Sequence, residues 1–117
     1  MPGCTRLGLF QISYFKFGIW NWNLEFVIIA RKFLLSGIVQ GVGFRFFTQR
    51  VAARYQIRGY VRNLDDGRVE ALAQGIEKSV EAFKHDLTAG SRFSKVEDVE
   101  EIVLEPNSGY SSFRIER

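Results

Sequence analysis

The chain has 117 residues, 46% of them apolar and 25% charged, with a formal net charge of +3. That is one ordinary domain: too apolar to be disordered, too charged for a bundle of membrane helices, and large enough to bury a core without covalent staples. A single cysteine, Cys4, and a single histidine, His85, exclude a disulfide framework, a multi-cysteine metal site and any centre built on a two-His pair.

Residues 1 to 30 differ in kind from the rest of the chain. Their only charges are Arg6, Lys16 and Glu25, yet they hold Phe10, Tyr14, Phe15, Phe17, Trp20, Trp22 and Phe26. Gln11, Ser13 and Lys16 interrupt the first apolar run, and Asn21 and Asn23 flank Trp22. Neither a signal peptide nor a membrane span of about 18 apolar residues is therefore expected, and a cytoplasmic location follows from that reading. Phe15, Phe17 and Ile19 alternate with Lys16 and Gly18, and Phe26-Val27-Ile28-Ile29 has the character of a buried strand. Residues 1–27 are expected to form an aromatic-rich extension before a domain at 28–117. Its apolar surface favours packing or self-association, with a loose tail as the other reading.

From Ile28 to Val39 the chain is rich in Ile, Leu, Phe and Val, a strand that Gly41 and Gly43 end. Phe44, Phe47, Val51, Ala52 and Tyr55 then fall at helical spacing, with Gln49, Arg50 and Arg54 on the other side. Ile57 to Asn63 is a short strand, Leu64-Asp65-Asp66-Gly67 a hairpin turn, and Arg68 to Gln74 a strand with Val69, Ala71 and Ala73 alternating against Arg68, Glu70 and Gln74. Ile76, Val80, Phe83 and Leu87 mark a second helix, which Gly90 stops. Val96 to Leu104 is a strand, Pro106-Asn107-Ser108-Gly109 a turn, and Ser112 to Glu116 a last short strand. The order βαββαβ predicts an α+β fold of the ferredoxin-like type: an antiparallel sheet with two helices on one face, plus a short C-terminal strand.

Charge is unevenly placed. Arg31, Lys32, Arg45, Arg50, Arg54, Arg58, Arg62 and Arg68 are opposed in that stretch only by Asp65 and Asp66, whereas Val69 to Glu105 is net acidic. A basic half attracts anions, although a solvated mixed-charge surface has the same composition. The most informative stretch lies within that half: Ser36-Gly37-Ile38-Val39-Gln40-Gly41-Val42-Gly43-Phe44-Arg45, joining the first strand to the first helix. Glycines let consecutive N–H groups turn inward as an anion nest, and a helix N-terminus adds partial positive charge. Arg45 in the first turn opposes the helix dipole, which a bound anion would offset. The loop is neither a Walker loop nor a dinucleotide fingerprint, and taken alone it reads equally as a tight strand-to-helix turn. Asn63 ends the second strand, at the sheet edge where the first strand also ends. Its amide can hold a water, although before Asp65-Asp66-Gly67 it also serves turn chemistry.

The stretch Ser36–Arg45, followed eighteen residues after Arg45 by the Asn63 of Gly59-Tyr60-Val61-Arg62-Asn63-Leu64-Asp65-Asp66-Gly67-Arg68-Val69-Glu70-Ala71, resembles the acylphosphatase family. The Phe113–Arg117 ending is similar to that family's last strand, and the resemblance covers about Arg31 to Arg117. It implies hydrolysis of the carboxyl–phosphate bond of acyl phosphates. The backbone N–H groups of Gln40, Gly41, Val42, Gly43 and Phe44 would cradle the phosphate, Arg45 would bind it and stabilise its charge, and Asn63 would orient the attacking water. No metal and no cofactor is implied, and the expected partners are the acyl phosphate and phosphate, with neither nucleic acid nor membrane. Residues 1 to 30 are longer than the family's usual start.

A carboxylate leaves without a general acid, so positioning and charge stabilisation suffice for such a reaction. His85 reads as helix surface, Asp65 and Asp66 as turn formers, and Glu97, Asp98, Glu100 and Glu101 as a solvated strand face that protects an edge. The alternative is a catalytically idle interaction module or an RNA-binding module of the same βαββαβ order. The third strand of an RNA-binding module carries aromatic residues, and Arg68 to Gln74 holds none.

Overall fold

The computed structural model describes residues 27–117. The expected aromatic extension, with its alternating Phe15, Phe17 and Ile19, its Cys4 and its proposed self-association, lies outside the described residues at positions 1–26. The elements run β1 (Ile28–Ile38), α1 (Phe44–Arg54), β2 (Arg58–Asn63), β3 (Val69–Ile76), α2 (Glu77–Ala89), β4 (Lys95–Leu104) and β5 (Phe113–Glu116). They build one sheet in the order β4-β1-β3-β2-β5. The first four strands pair antiparallel, as the ferredoxin-like pattern requires. β5 adds to the edge of β2 in parallel, a pairing the sequence pattern left open. Residues 105–112 connect β4 to β5 across the width of the sheet, because the two strands lie at opposite edges.

Period-two alternation decides what each strand buries. Phe33 and Leu35 of β1, Val61 of β2 and Val69, Ala71 and Ala73 of β3 turn to the helices, where they meet Val51 and Ala52 of α1 and Val80, Phe83 and Leu87 of α2. The small residues of β3 leave room for large rings from above. The Phe83 ring lies 6.2 Å from that of Phe33 and 5.9 Å from that of Phe113, tying α2 to both halves of the sheet. β4, at the sheet edge, keeps Glu97, Asp98, Glu100 and Glu101 exposed. Such charges discourage another chain from pairing there. Among the described residues no helix is long and apolar enough to cross a membrane.

The other face of the sheet is not uniformly open to water. Glu70 and Gln74 do point away from the helices, yet they are only 5% and 8% exposed. The crossover 105–112 passes over this face: Gln74 donates to the Asn107 carbonyl at 2.9 Å and accepts from its N–H at 2.8 Å. Tyr110 lies beside Tyr60, and the Tyr60 hydroxyl donates to Glu70. The Arg62 Nε stands 3.3 Å from Glu70 Oε2 as an ion pair. Burial by itself would raise the Glu70 carboxyl. The hydrogen bonds from Tyr60 and Arg62, with the charges of Arg62 and Lys32, outweigh it and hold the group below the ordinary value of 4.5. Burial and Glu70 together push the Tyr60 phenol up.

A carboxyl held below its ordinary value stabilises the fold above that value and ceases to do so as pH falls through the depressed one. Glu70→Gln is therefore expected to lower stability at pH 7, by about 1–2 kcal/mol as for a lost charged hydrogen bond. The gap to wild type should close below pH 4.5. Urea unfolding at pH 7 and pH 3.5 measures both.

Candidate active site

The site begins with strand register. Leu35 of β1 and Asn63 of β2 both sit opposite Val69, one on each side of β3. Because both outer strands run antiparallel to β3, they run parallel to each other and end at the same edge of the sheet. The loop after β1 and the last residue of β2 are thus neighbours, although Gln40 and Leu64 are 24 positions apart.

Between β1 and α1 the backbone at Gly41 and Gly43 is left-handed, with φ of 74° and 76°. A Cβ at either glycine would meet nothing within 4 Å. The loop asks for glycine because of the backbone angle, which costs an L-residue about 1–2 kcal/mol, and not for want of space. Gly43 is also the N-cap of α1, and no side chain caps the helix there. Phe47 N–H makes a helical bond to the Gly43 carbonyl at 3.1 Å. The amides of Phe44, Arg45 and Phe46, which precede it, have no acceptor within the helix. The first turn contains no acidic residue. Orphan donors, an unopposed helix dipole and a guanidinium in one turn form a site for an anion.

Arg45 is half-buried, and its Nη1 donates to the Glu116 carbonyl of β5 at 3.3 Å. That contact anchors the side chain and uses one of its five N–H donors. Thr48, wholly buried, bonds back to the Phe44 carbonyl at 2.8 Å and firms the first turn. Gln40 donates from Nε2 to the Leu64 and Arg68 carbonyls, each at 2.8 Å, and so joins the glycine loop to the β2–β3 turn. Asn63 is half-buried, with its Oδ1 shielded from solvent and lacking any hydrogen-bond partner. That amide oxygen thus keeps its acceptor capacity uncommitted beside the glycine loop.

All the residues expected from the sequence meet at this end of the sheet: Gln40, Gly41, Val42, Gly43 and Phe44 in the loop and first helical position, Arg45 one residue on, and Asn63 beside them. The bland readings also match their surroundings. Asp66 accepts from the Arg68 N–H at 3.1 Å and from its Nε at 2.8 Å, as a turn former does. The backbone bond, followed by the Arg68 guanidinium, holds its carboxyl below the usual range. His85 is exposed on α2, away from this loop. Among the described residues no group of three His, Cys, Asp or Glu could hold a metal ion. Two contacts at this end escaped the sequence reading, those of the Gln40 side chain and of the Glu116 carbonyl. A long-range side-chain-to-backbone bond leaves no periodicity or spacing to find.

With this geometry in place, a model of the acylphosphatase family matches residues 31–115. The acylphosphatase of Petrotoga mobilis is 44% identical over 89 residues, covering 76% of this chain and 99% of that protein. The acylphosphatase of Bacillus licheniformis is 43% identical over 88 residues, covering 75% of this chain and 98% of that protein. The crystal structure of acylphosphatase from Bacillus subtilis aligns with a TM-score of 0.73 at 39% identity, over 76% of this chain and 99% of that one.

If the loop needs glycine for its angle alone, Gly43→Ala should cost about 1–2 kcal/mol of stability, and Gly43→Asn, which tolerates the left-handed region better, should cost less. Urea midpoints of the two variants provide the comparison; equal losses would contradict the conformational account.

Proposed function

The chain belongs to the acylphosphatase family and is an enzyme of that class; we propose that Arg45, Asn63 and the backbone of residues 40–44 carry its chemistry. The substrate is an acyl phosphate, a mixed anhydride of a carboxylic and a phosphoric acid. The N–H groups from Gln40 to Phe44 hold the phosphate oxygens, and Arg45 adds charge-assisted bonds from its planar fork. Asn63 Oδ1 accepts a hydrogen from a water and aims that water's oxygen at phosphorus.

Attack forms the new P–O bond as the bond to the acyl oxygen breaks. The electron pair leaves with the carboxylate, and the water's proton passes to the phosphate or to solvent. A carboxylate is stable as it departs, so no general acid is called for. Charge spread over the phosphoryl oxygens is met by donors already oriented toward it. A lone guanidinium, orphan amides and one carboxamide suffice for that task. The observation that carries this reading is Asn63 Oδ1, buried without a partner, next to a loop whose amides also lack acceptors.

Hydrolysis of benzoyl phosphate with EDTA present is the test. Wild type should turn over. Arg45→Ala should lose on the order of 10²–10³ in kcat/KM, by the scale of a lost oxyanion donor, and should bind inorganic phosphate more weakly. Asn63→Ala should lose kcat, on the order of 10²-fold, with phosphate inhibition nearly unchanged. Both variants should keep the wild-type circular dichroism spectrum. An equal loss of phosphate affinity in the two would contradict the division of roles.

A further inference from the structure

The Asn63 side chain has no hydrogen bond at Oδ1 to hold it in place. Its position therefore depends on the backbone that carries it. Asn63 is the last residue of β2, and the turn after it closes with Leu64 N–H donating to the Arg68 carbonyl at 2.8 Å and Gly67 N–H to the Leu64 carbonyl at 3.3 Å. Those two carbonyls, Leu64 O and Arg68 O, are the ones that the Gln40 amide grips, each at 2.8 Å. A carboxamide NH2 has two hydrogens, so both donors of Gln40 are committed, and the two acceptors fix which way round its amide lies. Gln40 itself opens the glycine loop whose amides would hold the phosphate.

We infer that Gln40 is a positioning residue for the hydrolysis: its side chain sets the distance between the phosphate cradle and Asn63 by clamping the mouth of the β2–β3 turn. The inference rests on the water-orienting role given to Asn63 under the proposed function. Its physical basis is that cradle and water holder lie on different strands and share no other side-chain hydrogen bond among the described residues. A displacement of about 1 Å between a held phosphorus and a held water is enough to cost up to 10²-fold in rate. The phosphate itself touches only the Gln40 backbone in this scheme, so the side chain should govern turnover and not binding.

The experiment is a double-mutant cycle with Gln40→Met and Asn63→Ala. Methionine keeps the length and removes both donors. Gln40→Met should lower kcat by about tenfold or more while KM and phosphate inhibition stay within about twofold. In the Asn63→Ala background the same substitution should cost nothing further, because the two groups act as one unit. Full additivity, or a rise in KM with kcat intact, would overturn the inference and leave the role of Asn63 standing. Full activity of Asn63→Ala alone would overturn both.

The wild-type protein provides a readout independent of any variant's folding. The Gln40 side-chain NH2 should show two hydrogen-bonded, slowly exchanging protons by NMR, and free, fast-exchanging protons would also sink the clamp.

Discussion

Leu35 and Asn63 face Val69 from opposite sides, and the placement of Asn63 beside the glycine loop depends on that register. A strand paired antiparallel with two neighbours forces those neighbours to run the same way and to end together. A slip of one residue in the β2–β3 ladder would turn Asn63 to the other face of the sheet, and one in the β1–β3 ladder would displace the glycine loop that follows β1. The register is itself guarded by burial, since Val69, Ala71 and Ala73 fit beneath the helices only when they face them. Packing of the core and placement of the site are thus one constraint. The aromatic cluster of Phe33, Phe83 and Phe113 maintains it from the helix side.

The proposed site would use little side-chain chemistry, because the backbone would supply most of it. Two left-handed glycines turn the chain so that it enters α1 without a capping side chain, which leaves amides open for an anion. In most helices such donors are satisfied by a Ser, Thr, Asp or Asn at the cap. Here a phosphate would take that part. Arg45, unfavourable at the positive end of a helix dipole, is steadied by the Glu116 carbonyl and would be compensated by the same anion. The arrangement suits a substrate whose leaving group needs no proton.

The face of the sheet away from the helices has a different logic. Gln74 is nearly inaccessible where Asn107 of the connection to β5 bonds to it, and Glu70 where Tyr60 and Arg62 of β2 do. β4 and β5 lie at opposite edges of the sheet and run in opposite directions, so the chain crosses the width of the sheet between the end of β4 and the start of β5. The same strand then delivers Phe113 to the core and the Glu116 carbonyl to Arg45.

Much of this was legible in the sequence. Hydrophobic periods mark every strand and helix to within about two residues. The glycine spacing and Arg45 announce an anion site at a strand-to-helix junction, and the βαββαβ order places Asn63 at the same edge. Those features are local or follow from topology, and local periodicity reports which face a residue occupies. The tertiary structure alone decided the rest. It put β5 parallel to β2, bonded Gln74 to Asn107 of the connection 105–112, brought the Glu116 carbonyl to Arg45, and hooked the Gln40 amide onto Leu64 and Arg68. Each of these joins a side chain or strand edge to backbone far away in the chain. Backbone groups are the same at every residue, so a sequence carries no mark of which carbonyl a distant donor will find until the fold brings the two together.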